Sequence, residues 1–236
     1  MKKYKLTTET LQFAGRTLHR IKAVKDFDSI KAGEFGGWIE NEKNLSQDDN
    51  AWIYGDAMVF DNAEVYDNAE VYGNANVSGN ANVSGNAKVY GNANVFGNAN
   101  VFGYAEVYGN ANVFGYAEVY GNAEVSDYAN VSGNAEVSDY AKVSDYAKVY
   151  GNAAIKGDAK VHDAVDYIVF KNFWSSGRYF TWTSSNNKWS VGCFYGTSEE
   201  LIKKAYADSE KSGREYERVV RYVESILADE KKEKSN

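Results

Sequence analysis

The chain has 236 residues, with 26 Lys and Arg against 33 Asp and Glu, a net charge of −7, no proline and one cysteine. A single cysteine excludes an intrachain disulfide framework, and no apolar run approaches the roughly 18–20 residues of a membrane-spanning helix. No signal-peptide pattern follows the basic first residues. We therefore expect a soluble, cytoplasmic protein without membrane contact.

The negative charge is concentrated in residues 49–162, which carry five basic and fourteen acidic residues. Because phosphate contacts dominate affinity for nucleic acids, direct binding of DNA or RNA is not expected. Two interpretations of the acidic surface stay open, namely solubility and mimicry of a nucleic acid.

Residues 1–48 are predicted to form a β-rich N-terminal cap, because residues 17–21 alternate in polarity after a turn at Gly15. Three glycines and two aromatic residues cluster in residues 31–40. This cluster lacks both G-x-G-x-x-G and a following Gly-Lys-Ser/Thr, so it predicts tight turns rather than a phosphate-binding loop.

Residues 49–162 consist of nineteen hexapeptides of the form Gly/Asp–Asn/Tyr–Ala–x–Val–x, without insertion or deletion. Ala and Val alternate within each hexapeptide and should point inward, while Gly and Asn suit a corner with positive φ. A strict period of six is typical of a left-handed parallel β-helix, in which three hexapeptides make one coil. The sequence thus predicts a mainly β protein with a left-handed parallel β-helix of about six coils.

Steps of eighteen residues show which outward side chains stack. The aromatic members of these stacks are candidates for an oligomer or partner interface, because several in register can exceed the apolar patch that a monomer normally exposes. Stacking within one chain is the alternative. The candidates are Phe96, Phe102, Phe114, Tyr90, Tyr108 and Tyr120.

Residues 163–236 are predicted to form a C-terminal α+β domain of three strands, at 167–173, 178–183 and 188–194, followed by two helices. Capping boxes at Thr197 with Glu200 and at Ser212 with Glu215 should start the helices. The domain combines aromatic and basic residues that either form its core or stack a nucleotide. The candidate ligand-binding residues are Arg178, Tyr179, Trp182, Lys188 and Trp189.

The hexapeptide repeat resembles the β-helices of acyltransferases and of trimeric γ-class carbonic anhydrases. Those resemblances imply a catalytic histidine and three histidine metal ligands, respectively. This chain has His19 before the repeat and His162 at its end, too few for a three-histidine metal site. Cys193 lies in an alternating segment that favours a buried thiol, and a His162–Cys193 nucleophilic pair is the alternative. We accordingly expect no metal, no cofactor and no enzymatic activity.

The two ends of the chain resemble a family of uncharacterised left-handed β-helix proteins of bacteria and phages, some labelled putative transferases. The matching segments are residues 3–6, 21–27, 31–39, 44–46, 50–54 and, for phage-type members, 189–201. The resemblance implies no particular catalytic residue. A phage origin would fit an accessory protein that blocks a host defence protein or sequesters a nucleotide signal.

From these patterns we expect a non-catalytic homo-oligomeric scaffold or binding protein, with a trimer favoured because cyclic closure covers flat faces. A host protein or a small nucleotide is the expected partner. The alternatives are a hexapeptide-repeat acyl- or nucleotidyl-transferase and an acidic nucleic-acid mimic.

Overall fold

The computed structural model describes residues 2–233. The chain divides into two compact units, Met1–Asp166 and Tyr167–Asn236. The first is mainly β and contains a parallel β-solenoid, and the second combines a small antiparallel sheet with two helices.

The first unit begins with strands β1 (Tyr4–Phe13), β2 (Arg16–Ala23) and β3 (Phe35–Ile39), which pair antiparallel in chain order. Strand β3 then pairs in parallel with the first turn of the repeat, Trp38 with Met58 and Ile39 with Val59. The N-terminal strands therefore extend one face of the solenoid into a nine-stranded sheet.

Each hexapeptide contributes one two-residue strand, and the strands of neighbouring turns pair in parallel, eighteen residues apart. These strands, β4 to β22, are Trp52–Ile53, Met58–Val59, Glu64–Val65, Glu70–Val71, Asn76–Val77, Asn82–Val83, Lys88–Val89, Asn94–Val95, Asn100–Val101, Glu106–Val107, Asn112–Val113, Glu118–Val119, Glu124–Val125, Asn130–Val131, Glu136–Val137, Lys142–Val143, Lys148–Val149, Ala154–Ile155 and Lys160–Val161.

The core of the solenoid is the stack of Ala at position three and Val at position five of the hexapeptides, with Ile53 and Ile155 in two of them, and it is almost completely buried. With β3 and the bridge at Leu45 included, each of the three faces has seven stacked segments, so the solenoid makes about seven turns, whereas the hexapeptide count alone predicts about six. The difference arises because β3 and Leu45, which bridges to Val65, start the stack before residue 49. Trp38 and Met58 are twenty rather than eighteen residues apart, so this first turn lies outside the hexapeptide pattern.

Corners of the solenoid require a positive φ, as the Gly/Asp position predicts. Gly91 has φ 72° and Asp67 has φ 61°. A Cβ atom on Gly91 would lie 3.0 Å from the backbone of Gly109 in the next turn. Asp67 offsets this crowding, because its carboxylate accepts a hydrogen bond from the N–H of Gly85, 3.0 Å away.

The second unit has four antiparallel strands, β23 (Tyr167–Lys171), β24 (Tyr179–Thr183), β25 (Lys188–Val191) and β26 (Phe194–Gly196). The predicted third strand at 188–194 is therefore wrong. Gly192, with φ 58°, reverses the chain and turns the end of that segment into a separate strand.

Two helices follow, α1 (Ser198–Asp208) and α2 (Glu210–Glu233). The capping box of Thr197 with Glu200 is confirmed. The predicted start of the second helix at Ser212 is wrong, since Ser209 Oγ already accepts the N–H of Ser212. Apolar residues of both helices pack on one side of the sheet around Phe180, Trp182 and Trp189.

Candidate functional site

A histidine–aspartate pair lies at the last turn of the solenoid. His162 follows strand β22, and its Nδ1 is 2.9 Å from Oδ2 of Asp145 and 2.8 Å from Oγ of Ser144. Both partners come from the preceding turn, because residues seventeen or eighteen apart are neighbours along the stack. The side chains of His162 and Asp145 are 53% and 61% exposed, so the pair is open to solvent.

Asp145 favours one tautomer of the neutral His162 ring. A carboxylate is only an acceptor, so Asp145 favours the proton on Nδ1 and leaves the lone pair on Nε2. Both hydrogen bonds that the described residues make to the ring involve Nδ1, which leaves Nε2 for an external group. A neutral imidazole oriented in this way can accept a proton from a bound hydroxyl or amine.

The backbone at His162 is also fixed. Asp166 accepts hydrogen bonds at one carboxylate oxygen from the N–H of His162, at 2.7 Å, and from the N–H of Asp163, at 3.0 Å. The short helical turn Ala164–Asp166 places this carboxylate just beyond the last strand. His162 is thus held by hydrogen bonds at its backbone N–H and at one nitrogen of its ring.

The same face carries a ladder of stacked tyrosines in the preceding turns. The ring of Tyr90 lies between those of Tyr72 and Tyr108, with centroids 4.7 and 5.0 Å away. Its hydroxyl donates a 2.8 Å hydrogen bond to Glu106. Burial is the larger cause that raises the pKa of Tyr90, and this hydrogen bond is the second. The rings end at Tyr108, since Ser126 and Ser144 take the equivalent positions below His162.

The predicted interface residues form three stacked pairs within the chain. Centroid distances are 4.9 Å for Phe96 with Phe114, 4.9 Å for Phe102 with Tyr120 and 5.0 Å for Tyr90 with Tyr108. The rings are nearly parallel, so each stack presents ring edges outward. Phe96 is the most exposed of them, at 38%. Whether a partner covers these stacks stays a prediction.

The predicted ligand-binding residues do not converge on one surface. Trp182 and Trp189 are 4% and 0% exposed, which agrees with the alternative that these aromatic residues form the core of the domain. They belong to the core between sheet and helices, where their indole N–H groups donate to Asn187 and Ser198. They line one wall of a cavity of about 290 Å³ together with Glu199.

The other three candidates lie apart from these tryptophans. Tyr179 is half-buried, with the Lys171 ammonium 5.3 Å from its ring, and Lys188 lies 5.1 Å from the ring of Tyr195. Arg178 is exposed before β24. Strand alternation puts Tyr179 and Lys188 on the face of the sheet opposite the tryptophans.

Cys193 is exposed in the turn between β25 and β26, so the expectation of a buried thiol is wrong. Among residues 2–233, no group of three His, Cys, Asp or Glu side chains is arranged to hold a metal ion. No helix within this range is long and apolar enough to cross a membrane.

These features define the first unit as a hexapeptide parallel β-solenoid with a histidine–aspartate pair at its last turn. No family model matches the chain. The chain is similar to a protein of Escherichia coli (strain K12) named "Uncharacterized acetyltransferase YdcK", with 39% identity over 62 residues. This similarity covers 23% of the chain and 19% of the relative, so the chain matches less than a fifth of that protein's length.

The similarity corrects the expectation that the protein has no enzymatic activity, because the relative is named as an acetyltransferase. That expectation rested on the small number of histidines in the chain. It considered Cys193 as the partner of His162 and missed Asp145. The signal was present in the sequence, because a step of seventeen residues back from His162 reaches an acidic corner of the preceding turn.

Proposed function

We propose that the protein is an acyltransferase of the hexapeptide-repeat kind, in which His162 is the general base. The observation that carries this proposal is the 2.9 Å contact between His162 Nδ1 and Asp145 Oδ2, which prepares Nε2 to accept a proton. The name of the E. coli relative supports the same class of reaction.

In the proposed reaction an acyl thioester meets an acceptor with a hydroxyl or amino group. Nε2 of His162 takes the acceptor proton while the acceptor oxygen or nitrogen forms a bond to the acyl carbon. The carbon–sulfur bond then breaks, and the thiolate leaves with the proton that His162 returns. Asp145 stabilises the imidazolium in between, as carboxylates do beside catalytic histidines.

The experiment compares thiol release from acetyl-coenzyme A by the full chain with a panel of amine and sugar acceptors. His162→Asn keeps an N–H that can donate to Asp145 but lacks the base, so we expect turnover to fall about 10²- to 10⁴-fold. The matched control is His19→Asn, because the other histidine lies in strand β2 with its Nδ1 3.4 Å from the Thr7 carbonyl. Equal turnover by His162→Asn and the wild-type chain would refute the proposal.

We further propose that the solenoid is wound left-handedly, as the hexapeptide period indicates. Three hexapeptides per turn agree with the eighteen-residue register of the parallel strands. A crystal structure would test this point, and right-handed connections between successive strands would contradict it.

A further inference from the structure

A groove in the second unit combines exposed aromatic rings with arginines and has no part in the proposed acyl transfer. It has a volume of about 420 Å³ and lies between β23, the turn after it and α2. Small-molecule sites have volumes of about 300–1,000 Å³. Its lining residues are Phe170, Asn172, Trp174, Glu215, Arg218, Val219 and Tyr222.

Trp174 is exposed in a way that the other tryptophans are not. It is 64% exposed, whereas the other four tryptophans, Trp38, Trp52, Trp182 and Trp189, are all buried. Tyr222 is 54% exposed and lies on α2. An indole and a phenol left open at one groove offer flat surfaces on which a planar ring can stack.

The turn that carries Trp174 is held in place by the groove itself. Asn172 is 2% exposed, and its Oδ1 accepts the N–H of Trp174 at 2.9 Å and that of Ser175 at 3.1 Å. Its Nδ2 donates to Ser175 Oγ at 2.8 Å. The ring of Phe170 meets that of Tyr222 edge-on, 5.8 Å away. The backbone that carries Trp174 is therefore fixed before any ligand arrives, and Tyr222 packs against Phe170, which reduces the entropic cost of binding.

The groove continues along α2 into a second depression of about 490 Å³, which shares Arg218 and Tyr222 and adds Arg214 and Arg221. The three arginines are spaced four and three residues apart, so they lie on one face of the helix. Glu215 and Glu217 are the acidic residues of this lining. The lining thus carries three positive and two negative charges.

Arg218 forms an ion pair with Glu215 at 2.7 Å, and Arg221 pairs with Glu217 at 3.4 Å and with Glu224 at 2.7 Å. The Arg218 side chain is nevertheless 73% exposed, so its guanidinium can exchange this carboxylate partner for a phosphate.

From this combination we infer that the groove binds a mononucleotide. The base stacks on Trp174 and Tyr222, and the phosphates reach Arg218 and its neighbours, since guanidinium groups bind phosphate through paired hydrogen bonds. The inference concerns a site other than the one predicted from sequence, which placed ligand binding at Arg178, Tyr179, Trp182, Lys188 and Trp189. It is independent of acyl transfer.

Calorimetric titration of the full chain with ADP, adenosine and orthophosphate tests the inference. ADP should bind the wild-type chain more tightly than adenosine. Trp174→Ala should weaken the binding of both ADP and adenosine about tenfold or more, because stacking on the indole ring is lost. Arg218→Gln should reduce the advantage of ADP over adenosine and leave the affinity for adenosine unchanged.

Three variants serve as controls. Tyr146→Ala removes an aromatic ring that is 74% exposed on the solenoid, and Lys211→Gln removes a positive charge from α2 outside the groove. His162→Asn removes the proposed base. All three should bind ADP like the wild-type chain, so that failure of catalysis and failure of the groove are distinguishable.

The inference is overturned if ADP, GDP and UDP all fail to bind the wild-type chain at millimolar concentration. It is equally overturned if Trp174→Ala binds ADP as well as the wild-type chain does. Binding of a glutamate-rich peptide at Trp174 in the absence of nucleotide binding would assign the groove to an acidic protein segment instead.

Discussion

At the scale of single residues, the corner glycines combine a left-handed backbone with a close approach to the next turn. Gly91 and Gly151 both have φ 72°, but a Cβ atom on Gly151 would meet nothing within 4 Å. The two positions therefore separate the cost of the backbone conformation from the cost of crowding.

We predict that Gly151→Ala lowers the free energy of unfolding by about 1–2 kcal/mol, the cost of a left-handed alanine. Gly91→Ala should lower it further, because its methyl group would lie 3.0 Å from the Gly109 backbone. The free energy of unfolding of Gly91→Asp should lie between those of the two alanine variants. Its carboxylate can accept a hydrogen bond from the N–H of residue 109, as that of Asp67 does from Gly85. Urea unfolding of the three variants measures this order, and equal midpoints for Gly91→Ala and Gly151→Ala would contradict it.

The raised pKa of Tyr90 makes the stability of the tyrosine ladder dependent on pH. Burial, the hydrogen bond to Glu106 and that carboxylate's charge raise its pKa, so its phenol stays protonated at a pH where the unfolded chain ionises. Its contribution to stability is fully present below about pH 10, the pKa of an unfolded tyrosine, and is lost as the pH rises further.

Thermal unfolding between pH 8 and 11 tests this expectation. The wild-type chain should lose stability above about pH 10 more steeply than Tyr90→Phe, which has no phenol to ionise at this position. The absorbance change of tyrosinate should also appear at higher pH in the folded chain than after denaturation. If the wild-type chain and Tyr90→Phe lose stability equally steeply above about pH 10, the stabilising role of the protonated Tyr90 phenol is contradicted.

At the scale of the elements, one face of the solenoid differs from the other two in charge. The strands β8, β11, β14 and β17 present Asn76, Asn94, Asn112 and Asn130, together with Ser78, Phe96, Phe114 and Ser132. None of these side chains is ionisable. The other two faces carry glutamates, such as Glu106 and Glu118. Four neighbouring uncharged strands with a pair of partly exposed phenylalanines, bounded by Lys148 on β20, make this face the better candidate for contact between copies.

We propose that this face mediates self-association. Replacement of both Phe96 and Phe114 by serine should convert an oligomer into a monomer in light scattering, because the apolar contact is lost. Replacement of Phe102 and Tyr120 by serine is the matched control, since it removes an equivalent stack from a charged face. A wild-type chain that is monomeric at tens of micromolar would contradict the proposal.

At the scale of the whole molecule, the repeat shows which features a sequence can predict. Val and Ala every six residues determine the strands, the core and the register, because each turn repeats the same local conformation. The sequence pattern does not predict that the stack starts at β3. Trp38 of β3 pairs with Met58, and this pair departs from the eighteen-residue spacing. Burial of Trp182 and Trp189 depends on how the helices cover the sheet, which short-range patterns do not specify.

The two candidate sites also differ in whether the sequence repeat predicts them. The pairing of His162 with Asp145 could be predicted, because the period of the solenoid makes residues one turn apart neighbours. The groove at Trp174 and Tyr222 could not, because it joins a turn and a helix almost fifty residues apart in the sequence. Periodicity thus reveals sites within the solenoid, whereas sites in the second unit require its tertiary structure.

The most direct test of the proposed catalytic pair is a double-mutant cycle on acyl transfer by the full chain. Asp145→Asn leaves the base but removes the carboxylate that orients it, so this variant should be slower than the wild-type chain and faster than His162→Asn. Residues that act as one unit lose activity non-additively. We therefore predict that the double variant turns over at the rate of His162→Asn alone. Losses that multiply would show that Asp145 and His162 act independently, and would contradict the account.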